Sequence, residues 1–127
     1  MGTDLVAVDR IRDALARHGD RFLARVLTAG EQAACRDRGD PAQCVASRFA
    51  AKEAAAKALG TGFSDGVRLL DLEVARQPGH PPRLHLHGAA AERARSQGVV
   101  RAHLSLSDEA GLALATVILE GADSAGV

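Results

Sequence analysis

The stretch from Ala46 to Gly62, ASRFAAKEAAAKALGTG, decides the fold of this 127-residue chain. Alanine, lysine, glutamate and leucine are strong helix formers, so the stretch predicts a long helix that ends at Gly60-Thr61-Gly62. The helix carries four charged side chains of interest: Arg48, Lys52, Glu53 and Lys57. One carboxylate among three cations, followed by a glycine loop, suits a metal-bound, phosphate-rich ligand. The simpler interpretation is a solvated helix with one i,i+4 ion pair and a glycine C-cap.

Length and composition predict a single domain over residues 1–127. The chain is 46% hydrophobic and 25% charged, which is enough for a core built from Leu, Val, Ile and Ala. Its 16 basic and 16 acidic residues balance, so the overall charge does not indicate nucleic acid as a partner. We find no apolar run of membrane-spanning length and no signal-peptide pattern, and therefore expect a cytoplasmic protein without a membrane partner.

The order of predicted elements is a strand, several helices, and then mostly strands with one helix, which indicates an α+β fold. Predicted helices cover about 10–18, 20–27, 28–38, 41–59 and 88–97, and predicted strands cover 2–8, 68–75, 83–87, 100–107 and 112–120. Asp9 and Asp20 are the expected N-caps of the first two helices, and Thr28 with Glu31 predicts a capping box for the third. The last two strands should form an antiparallel hairpin through residues 108–111, and a frayed tail should follow from Gly121.

The cysteines and two neighbouring histidines lack a convincing metal-binding pattern. Cys35 and Cys44 do not have metal-ligand spacing, and we expect both to be free thiols in a cytoplasmic protein. His85 and His87 lie two residues apart on a predicted strand and point the same way, as a zinc-binding pair could. No third ligand stands out, so ordinary surface histidines are the favoured interpretation.

Four motifs follow one another along nearly the whole chain. They are G-T-D-L-V…R-I from Gly2, F-L-x-R-V-L-T-x-x-E from Phe22, R-F-A-A-K-E-A-x-x-K-A-L-G-T-G from Arg48, and L-S-L-S-D-E…A-T-V-I-L-E from Leu104. In this order they resemble the holo-acyl-carrier-protein synthases, the small phosphopantetheinyl transferases. The third motif is highly specific, and the others are weak alone. The resemblance implies a 4'-phosphopantetheinyl transferase-like fold, with an antiparallel sheet packed on the long central helix.

The resemblance also implies an activity and its residues. The reaction moves the 4'-phosphopantetheine arm of coenzyme A to a serine of apo acyl carrier protein, requires Mg²⁺ and releases 3',5'-ADP. The implied metal ligands are Asp4 and Glu53, and Lys57 joins them as a catalytic residue beside the pyrophosphate, with proton transfer as an optional role. The implied coenzyme A-binding residues are Arg48, Lys52, Lys57, Gly60, Thr61, Gly62 and Ser105. Many family members have a histidine where this chain has Asp108, which we interpret as a hairpin-turn residue.

A basic segment between Arg10 and Arg25 predicts a docking surface for the acidic carrier protein. Four arginines spaced by seven, four and four residues could share one helical face if the break near Gly19 is mild: Arg10, Arg17, Arg21 and Arg25. The family's members of this size are homotrimers with active sites at subunit interfaces, so we expect a homotrimer. Two alternatives remain: a non-catalytic coenzyme A or carrier-protein binding module, and a purely structural α+β domain.

Overall fold

The structure, a computed structural model, describes residues 1–122. Its helices are α1 (Val8–His18), α2 (Asp20–Val26), α3 (Ala29–Arg36), α4 (Pro41–Leu59) and α5 (Gly88–Ser96). Its strands are β1 (Gly2–Ala7), β2 (Leu72–Ala75), β3 (Arg83–Leu86), β4 (Val99–Glu109) and β5 (Leu112–Gly121). This order of helices and strands confirms the α+β prediction.

Helix α4 is the centre of the molecule. It begins at Pro41, whose missing N–H is tolerated in the first turn, and ends at Gly60 in the left-handed conformation with φ 81°. Twelve of its 19 residues are buried, and most of these are alanines. The simpler interpretation of a solvated helix is therefore wrong, because neighbouring elements cover most of the circumference of α4.

A three-stranded antiparallel sheet in the order β1-β5-β4 packs on α4, as expected for this fold, and β2 and β3 form a separate antiparallel hairpin. Strand β1 approaches α4 so closely that a Cβ on Gly2 would overlap the carbonyl oxygen of Ala54 and lie 2.7 Å from the Ala58 nitrogen. Glycine on the strand and alanines on the helix make this approach possible. It brings the residues that follow Gly2 against the helix.

The β4–β5 hairpin is confirmed, but its turn is tighter than predicted. Ala110 and Gly111 connect the strands, and both have positive φ, as two-residue hairpin turns require. Asp108 is thus not a turn residue, because it pairs with Ala113 within the strand ladder. Gly121 still belongs to β5, and the rest of the predicted tail, from residue 123, lies outside the described residues.

The helix starts are partly as predicted. Thr28 and Glu31 form the expected capping box, with the Glu31 N–H donating to Thr28 Oγ1 at 3.2 Å and the Thr28 N–H donating to Glu31 Oε1 at 2.9 Å. Asp9 and Asp20 are not N-caps: α1 begins at Val8 and α2 begins at Asp20 itself, so both aspartates lie in the first turn. In the first turn their negative charges still interact favourably with the positive end of the helix dipole.

The strand predicted from residue 68 begins later. Residues Leu69–Asp71 form a short 3₁₀ turn, and β2 starts at Leu72. The buried Asp71 carboxylate accepts hydrogen bonds from the Arg68 N–H at 3.1 Å and the Arg68 guanidinium at 3.0 Å. A local side-chain bond of this kind competes with the sheet ladder, which explains the shorter strand.

The prediction of free thiols is wrong. Cys35 at the end of α3 and Cys44 in the first turns of α4 form a disulfide, with their Cα atoms 5.4 Å apart. That separation is within the ordinary range for disulfides. Spacing along the chain did not reveal the bond, because it depends on how α3 folds back against α4.

The histidine pair lies on the surface. His85 and His87 are exposed, and His87 Nε2 is 2.9 Å from Glu73 Oε1, which lowers the pKa of the Glu73 carboxyl. Within residues 1–122 we find no cluster of three or more side chains suited to a metal ion. In the same range, none of the helices combines the length and apolar character that crossing a membrane requires.

Candidate active site

The fold brings Asp4 on β1 next to Lys57 on α4, 53 residues away in the chain. Lys57 Nζ donates to Asp4 Oδ1 at 2.9 Å and to the backbone oxygen of Thr3 at 3.0 Å. Asp4 is mostly covered, with 16% of its side chain exposed, whereas Lys57 is 53% exposed and can reach a ligand. The close approach of β1 to α4 through Gly2 creates this contact.

Glu53, one turn before Lys57, completes the cluster. Burial raises the pKa of the Glu53 carboxyl, and the negative charge of Asp4 raises it further, against the opposing effects of Lys57 and Arg10. The two carboxylates repel each other even with the Lys57 ammonium beside them, and a divalent cation would relieve that repulsion. Mg²⁺ commonly takes one or two protein carboxylates and completes its shell with phosphate oxygens and water, so Asp4 and Glu53 fit this ion.

Lys57 is a cation rather than a base in this arrangement. Its hydrogen bond to Asp4 raises the pKa of the ammonium above its ordinary value, and the charges of both carboxylates act in the same direction. The group therefore stays protonated through the neutral pH range. It can donate hydrogen bonds to phosphate oxygens but cannot accept a proton while it holds its own.

A second site opens beside the first half of α4. Arg48 is only 5% exposed, yet it lines a cavity of about 320 Å³. Arg38 and Arg76 line the same cavity. Burial lowers the pKa of the Arg48 guanidinium; the charge of Glu31 opposes this effect, and the charges of Arg38 and Arg76 add to it. We call this cavity the arginine pocket; its other lining residues include Cys44, Pro82, Ser107 and Asp108. Three guanidinium groups around one cavity favour a phosphate-bearing ligand.

The arginine pocket and the Asp4–Glu53–Lys57 cluster lie on different sides of α4. Arg48 and Glu53 are five residues apart, which rotates their directions by about 140° around the helix. Asp4 and Leu106 both lie in register with Ala115, on the two edge strands of the sheet, and Leu106 lines the pocket. Edge strands separated by one central strand are roughly 10 Å apart.

Lys52 does not occupy the phosphate-binding position predicted for it. Its side chain is 0% exposed, and Nζ donates to Glu31 Oε1 at 2.8 Å and to the Leu69 backbone oxygen at 3.0 Å. Burial lowers the pKa of the Lys52 ammonium, whereas the charge of Glu31 opposes this effect. The periodicity that places Lys52 beside Arg48 could not show that neighbouring elements enclose it.

The Gly60-Thr61-Gly62 loop also differs from its prediction. The N–H groups of Gly60 and Gly62 donate to the Lys57 and Ala56 carbonyls at 3.0 and 3.2 Å, which caps α4. The Thr61 hydroxyl donates to the Gly62 carbonyl at 2.7 Å. These donors are already engaged in ending the helix, so the geometry does not support the phosphate-binding role that we predicted for them.

Ser105 lies on the exposed face of β4, opposite Thr116 and away from α4. Ser107 lies on the same face of the strand, and it also lines the arginine pocket. Sequence analysis did not identify Arg38, Arg76 or Ser107 as ligand-binding candidates. Arg38 and Arg76 lie outside the four motifs, and although Ser107 lies within the fourth, only the fold brings these three segments of the chain together.

The four arginines predicted for carrier docking share one continuous surface, although α1 and α2 are separate helices. Gly19, with φ 50°, ends one helix and precedes the other, so a single helical face was the wrong description. Two adjoining grooves, which share His18, are lined by all four arginines and two phenylalanines: Arg10, Arg17, Arg21, Arg25, Phe22 and Phe49. We call this surface the basic groove. The Arg10 guanidinium lies 5.9 Å from the centre of the Phe49 ring, a cation–π distance.

Comparison with known proteins identifies the family. The profile of the 4'-phosphopantetheinyl transferase superfamily matches residues 1–117. A holo-acyl-carrier-protein synthase of Halorhodospira halophila is 58% identical over 119 residues, covering 94% of each chain. The corresponding enzyme of Alkalilimnicola ehrlichii is 51% identical over 124 residues, covering 97% of each chain.

Solved structures agree with the sequence comparison. The holo-acyl-carrier-protein synthase of Neisseria meningitidis superimposes with a TM-score of 0.86 at 36% identity, over 94% of this chain and 95% of that one. That of Helicobacter pylori, solved in complex with coenzyme A, has a TM-score of 0.82 at 30% identity, over 94% and 98% of the two chains. The chain therefore belongs to the 4'-phosphopantetheinyl transferase superfamily and, within it, to the holo-acyl-carrier-protein synthases.

Proposed function

We propose that this chain transfers the 4'-phosphopantetheine arm of coenzyme A to a serine of apo acyl carrier protein, requires Mg²⁺ and releases 3',5'-ADP. The juxtaposition of Asp4, Glu53 and Lys57 is the observation that carries this proposal. In the reaction the serine oxygen forms a bond to the β-phosphorus and gives up its proton to solvent, and the bond from that phosphorus to the oxygen of 3',5'-ADP breaks. Such chemistry needs positioned substrates and compensation of charge on the phosphate oxygens.

Asp4 and Glu53 would hold Mg²⁺ against the pyrophosphate. The ion, when bound, would supply positive charge to the phosphate oxygens as bonds change. The raised pKa of Glu53 supports this assignment, because a nearby cation would relieve the repulsion between the two carboxylates.

Lys57 would contact the pyrophosphate as a permanent cation. Its hydrogen bond to Asp4 holds the ammonium at the carboxylate cluster, where phosphate oxygens would also lie. Proton transfer through Lys57 is the less favoured of its two predicted roles, since its pKa is raised.

The arginine pocket would bind the remaining phosphate of coenzyme A, the 3'-phosphate, through Arg48, with Arg38 and Arg76. The Helicobacter pylori relative was solved with coenzyme A, which supports a coenzyme A site on this fold. Because the pocket and the Asp4 cluster lie on different sides of α4, we propose that the pocket of one subunit completes the cluster of a neighbouring subunit.

A homotrimer would provide this neighbouring subunit. The outer face of the sheet exposes a group of large apolar side chains whose exposed fractions range from 40% to 58%: Leu5, Leu112, Leu114 and Ile118. An apolar sheet face of this kind usually lies against protein. Sedimentation of the Ile118→Glu variant would test the assembly, which should dissociate to monomers if this face is the interface.

The basic groove would receive the acidic carrier protein. Arg21 and Arg25 line the same groove as the apolar rings of Phe22 and Phe49, and Arg10 lies over the Phe49 ring. This combination suits a partner helix with acidic and apolar side chains. We propose Arg10 as the link between docking and chemistry, because its charge also acts on Glu53. A cytoplasmic location for the reaction remains a prediction.

The decisive experiment is to incubate the protein with apo carrier protein, coenzyme A and Mg²⁺ and to measure the intact mass of the carrier. We expect a gain of one phosphopantetheine group, lost in excess chelator and in the Asp4→Asn and Glu53→Gln variants. Glu92→Gln, a change to an exposed carboxylate on α5, is the matched control and should retain full activity. A carrier that is bound but never modified would instead support the non-catalytic binding module.

A further inference from the structure

The disulfide lies directly against the arginine pocket. Cys44 lines the pocket, and Arg48 Nη1 lies 3.0 Å from Cys44 Sγ. Arg48 Nε is buried and has no hydrogen-bond partner within the described residues. The guanidinium therefore faces a neutral sulfur, which accepts hydrogen bonds only weakly, and part of its binding capacity is unused.

Reduction would change the charge at this position. A dithiol reductant would transfer two electrons and two protons to the Cys35–Cys44 bond, giving two protein thiols and the disulfide of the reductant. Positive neighbours favour loss of the Cys44 proton to solvent, because the thiolate is the form that Arg48 can bind. The charged groups around Cys44 are the cations Arg38, Arg48 and Arg76 and the anions Asp40 and Asp108, and Glu31 acts on Arg48 from α3.

We propose that the Cys35–Cys44 pair is a reversible thiol–disulfide site that controls anion binding in the arginine pocket. In the oxidised protein Arg48 is available to a phosphate ligand. In the reduced protein the Cys44 thiolate forms an ion pair with Arg48. The pair neutralises the charge of the guanidinium and weakens phosphate binding. The inference rests on the proposed role of the arginine pocket in binding coenzyme A.

Two serine variants separate the thiolate effect from loss of the covalent link between α3 and α4. Both Cys35→Ser and Cys44→Ser remove the disulfide, but only Cys35→Ser leaves a thiol beside Arg48. We would titrate 3',5'-ADP into each protein by calorimetry, with and without dithiothreitol. Reduction should weaken binding by the wild type about tenfold, which is the loss of roughly one charge-assisted hydrogen bond.

Cys35→Ser should bind as weakly as the reduced wild type, and Cys44→Ser should bind more tightly than Cys35→Ser. Neither variant should respond to dithiothreitol. Equal affinities in the two variants would overturn the thiolate mechanism, since both lack the same bond. An oxidised wild type with the same affinity as the reduced protein would overturn the inference altogether.

A second measurement does not depend on nucleotide binding. In Cys35→Ser, iodoacetamide should alkylate Cys44 at pH 7 about tenfold faster than in Cys35→Ser/Arg48→Met, because the guanidinium favours the reactive thiolate. Equal alkylation rates would refute the inference even if the pocket binds nucleotide. If no form binds 3',5'-ADP while alkylation is fast, the assignment of the pocket to coenzyme A fails, and its control by redox state fails with it.

Discussion

Lys52→Met tests whether Lys52 stabilises the fold or binds phosphate. The Lys52 side chain is 0% exposed and its Nζ lies 2.8 Å from Glu31 Oε1. Methionine keeps most of the volume of the side chain but removes its charge. Glu31 would then be a buried carboxylate without its cation. Removing only one partner of a buried ion pair is strongly destabilising, because the other charge stays buried without compensation.

The size of the effect follows from the contacts that Glu31 keeps. Removing one partner of a buried pair costs about 3–5 kcal/mol. The N–H groups of Thr28 and Val74 still donate to Glu31, each at 2.9 Å, so we expect the lower end of that range. For a domain of this size roughly 3 kcal/mol corresponds to a fall in Tm of about 12 °C.

Thermal and urea unfolding at pH 7 would measure the loss, with Lys57→Met as the matched control on the same helix. Lys57→Met should melt near the wild type, because an exposed pair contributes little to stability, yet it should transfer phosphopantetheine far more slowly. Adding Glu31→Gln to Lys52→Met should recover part of the stability, since an amide carries no charge to bury. If Lys52→Met melts within about 2 °C of the wild type but loses affinity for coenzyme A, the structural role of Lys52 is refuted.

Three further outcomes are expected. Gly2→Ala should destabilise the protein by an amount near the upper end of about 1–3 kcal/mol, because β1 must move away from α4 to make room for the new Cβ. The same movement should slow transfer. The control Gly30→Ala, whose new Cβ meets only ordinary contacts, should change neither stability nor transfer. Glu53→Gln without metal should melt slightly higher than the wild type at pH 7, because a raised folded pKa means that ionised Glu53 costs stability. The difference should begin to shrink as the pH falls through the folded-state pKa and should vanish below the lower pKa of the unfolded state; its persistence there would contradict the assignment. Arg10→Glu should raise the KM for carrier protein and reduce the salt dependence of that KM, with the KM for coenzyme A nearly unchanged. Steady-state kinetics at two salt concentrations would measure these changes. The control Arg93→Glu on α5 should match the wild type in the same assay.

Local sequence signals predicted most of the secondary structure. The capping box of Thr28 and Glu31, Pro41 at the start of α4 and Gly60 at its end are signals between residues close in the chain, and all three are confirmed. The predictions for Asp9 and Asp20 were wrong because an aspartate is favourable both at an N-cap and in the first turn. Local preference alone does not distinguish these two positions.

The motifs also identified the family and named Asp4, Glu53 and Lys57 before any geometry was known. Their spacing along the chain placed Glu53 and Lys57 on one helical face, because the period of a helix is known in advance. Whether Asp4 reaches that face was not predictable from spacing. It depends on the close approach of β1 to α4 at Gly2.

The sequence by itself determined the elements, the family and the chemical types available at the site. Only the tertiary structure decided the surroundings of each cation: Lys52 is enclosed with Glu31, Lys57 remains exposed beside Asp4, and Arg48 lines a pocket with Cys44. The helical period gives the direction of a side chain from the helix axis, but burial depends on what packs in that direction. Those neighbours come from distant parts of the chain, and the free energy of burying a charge depends on them.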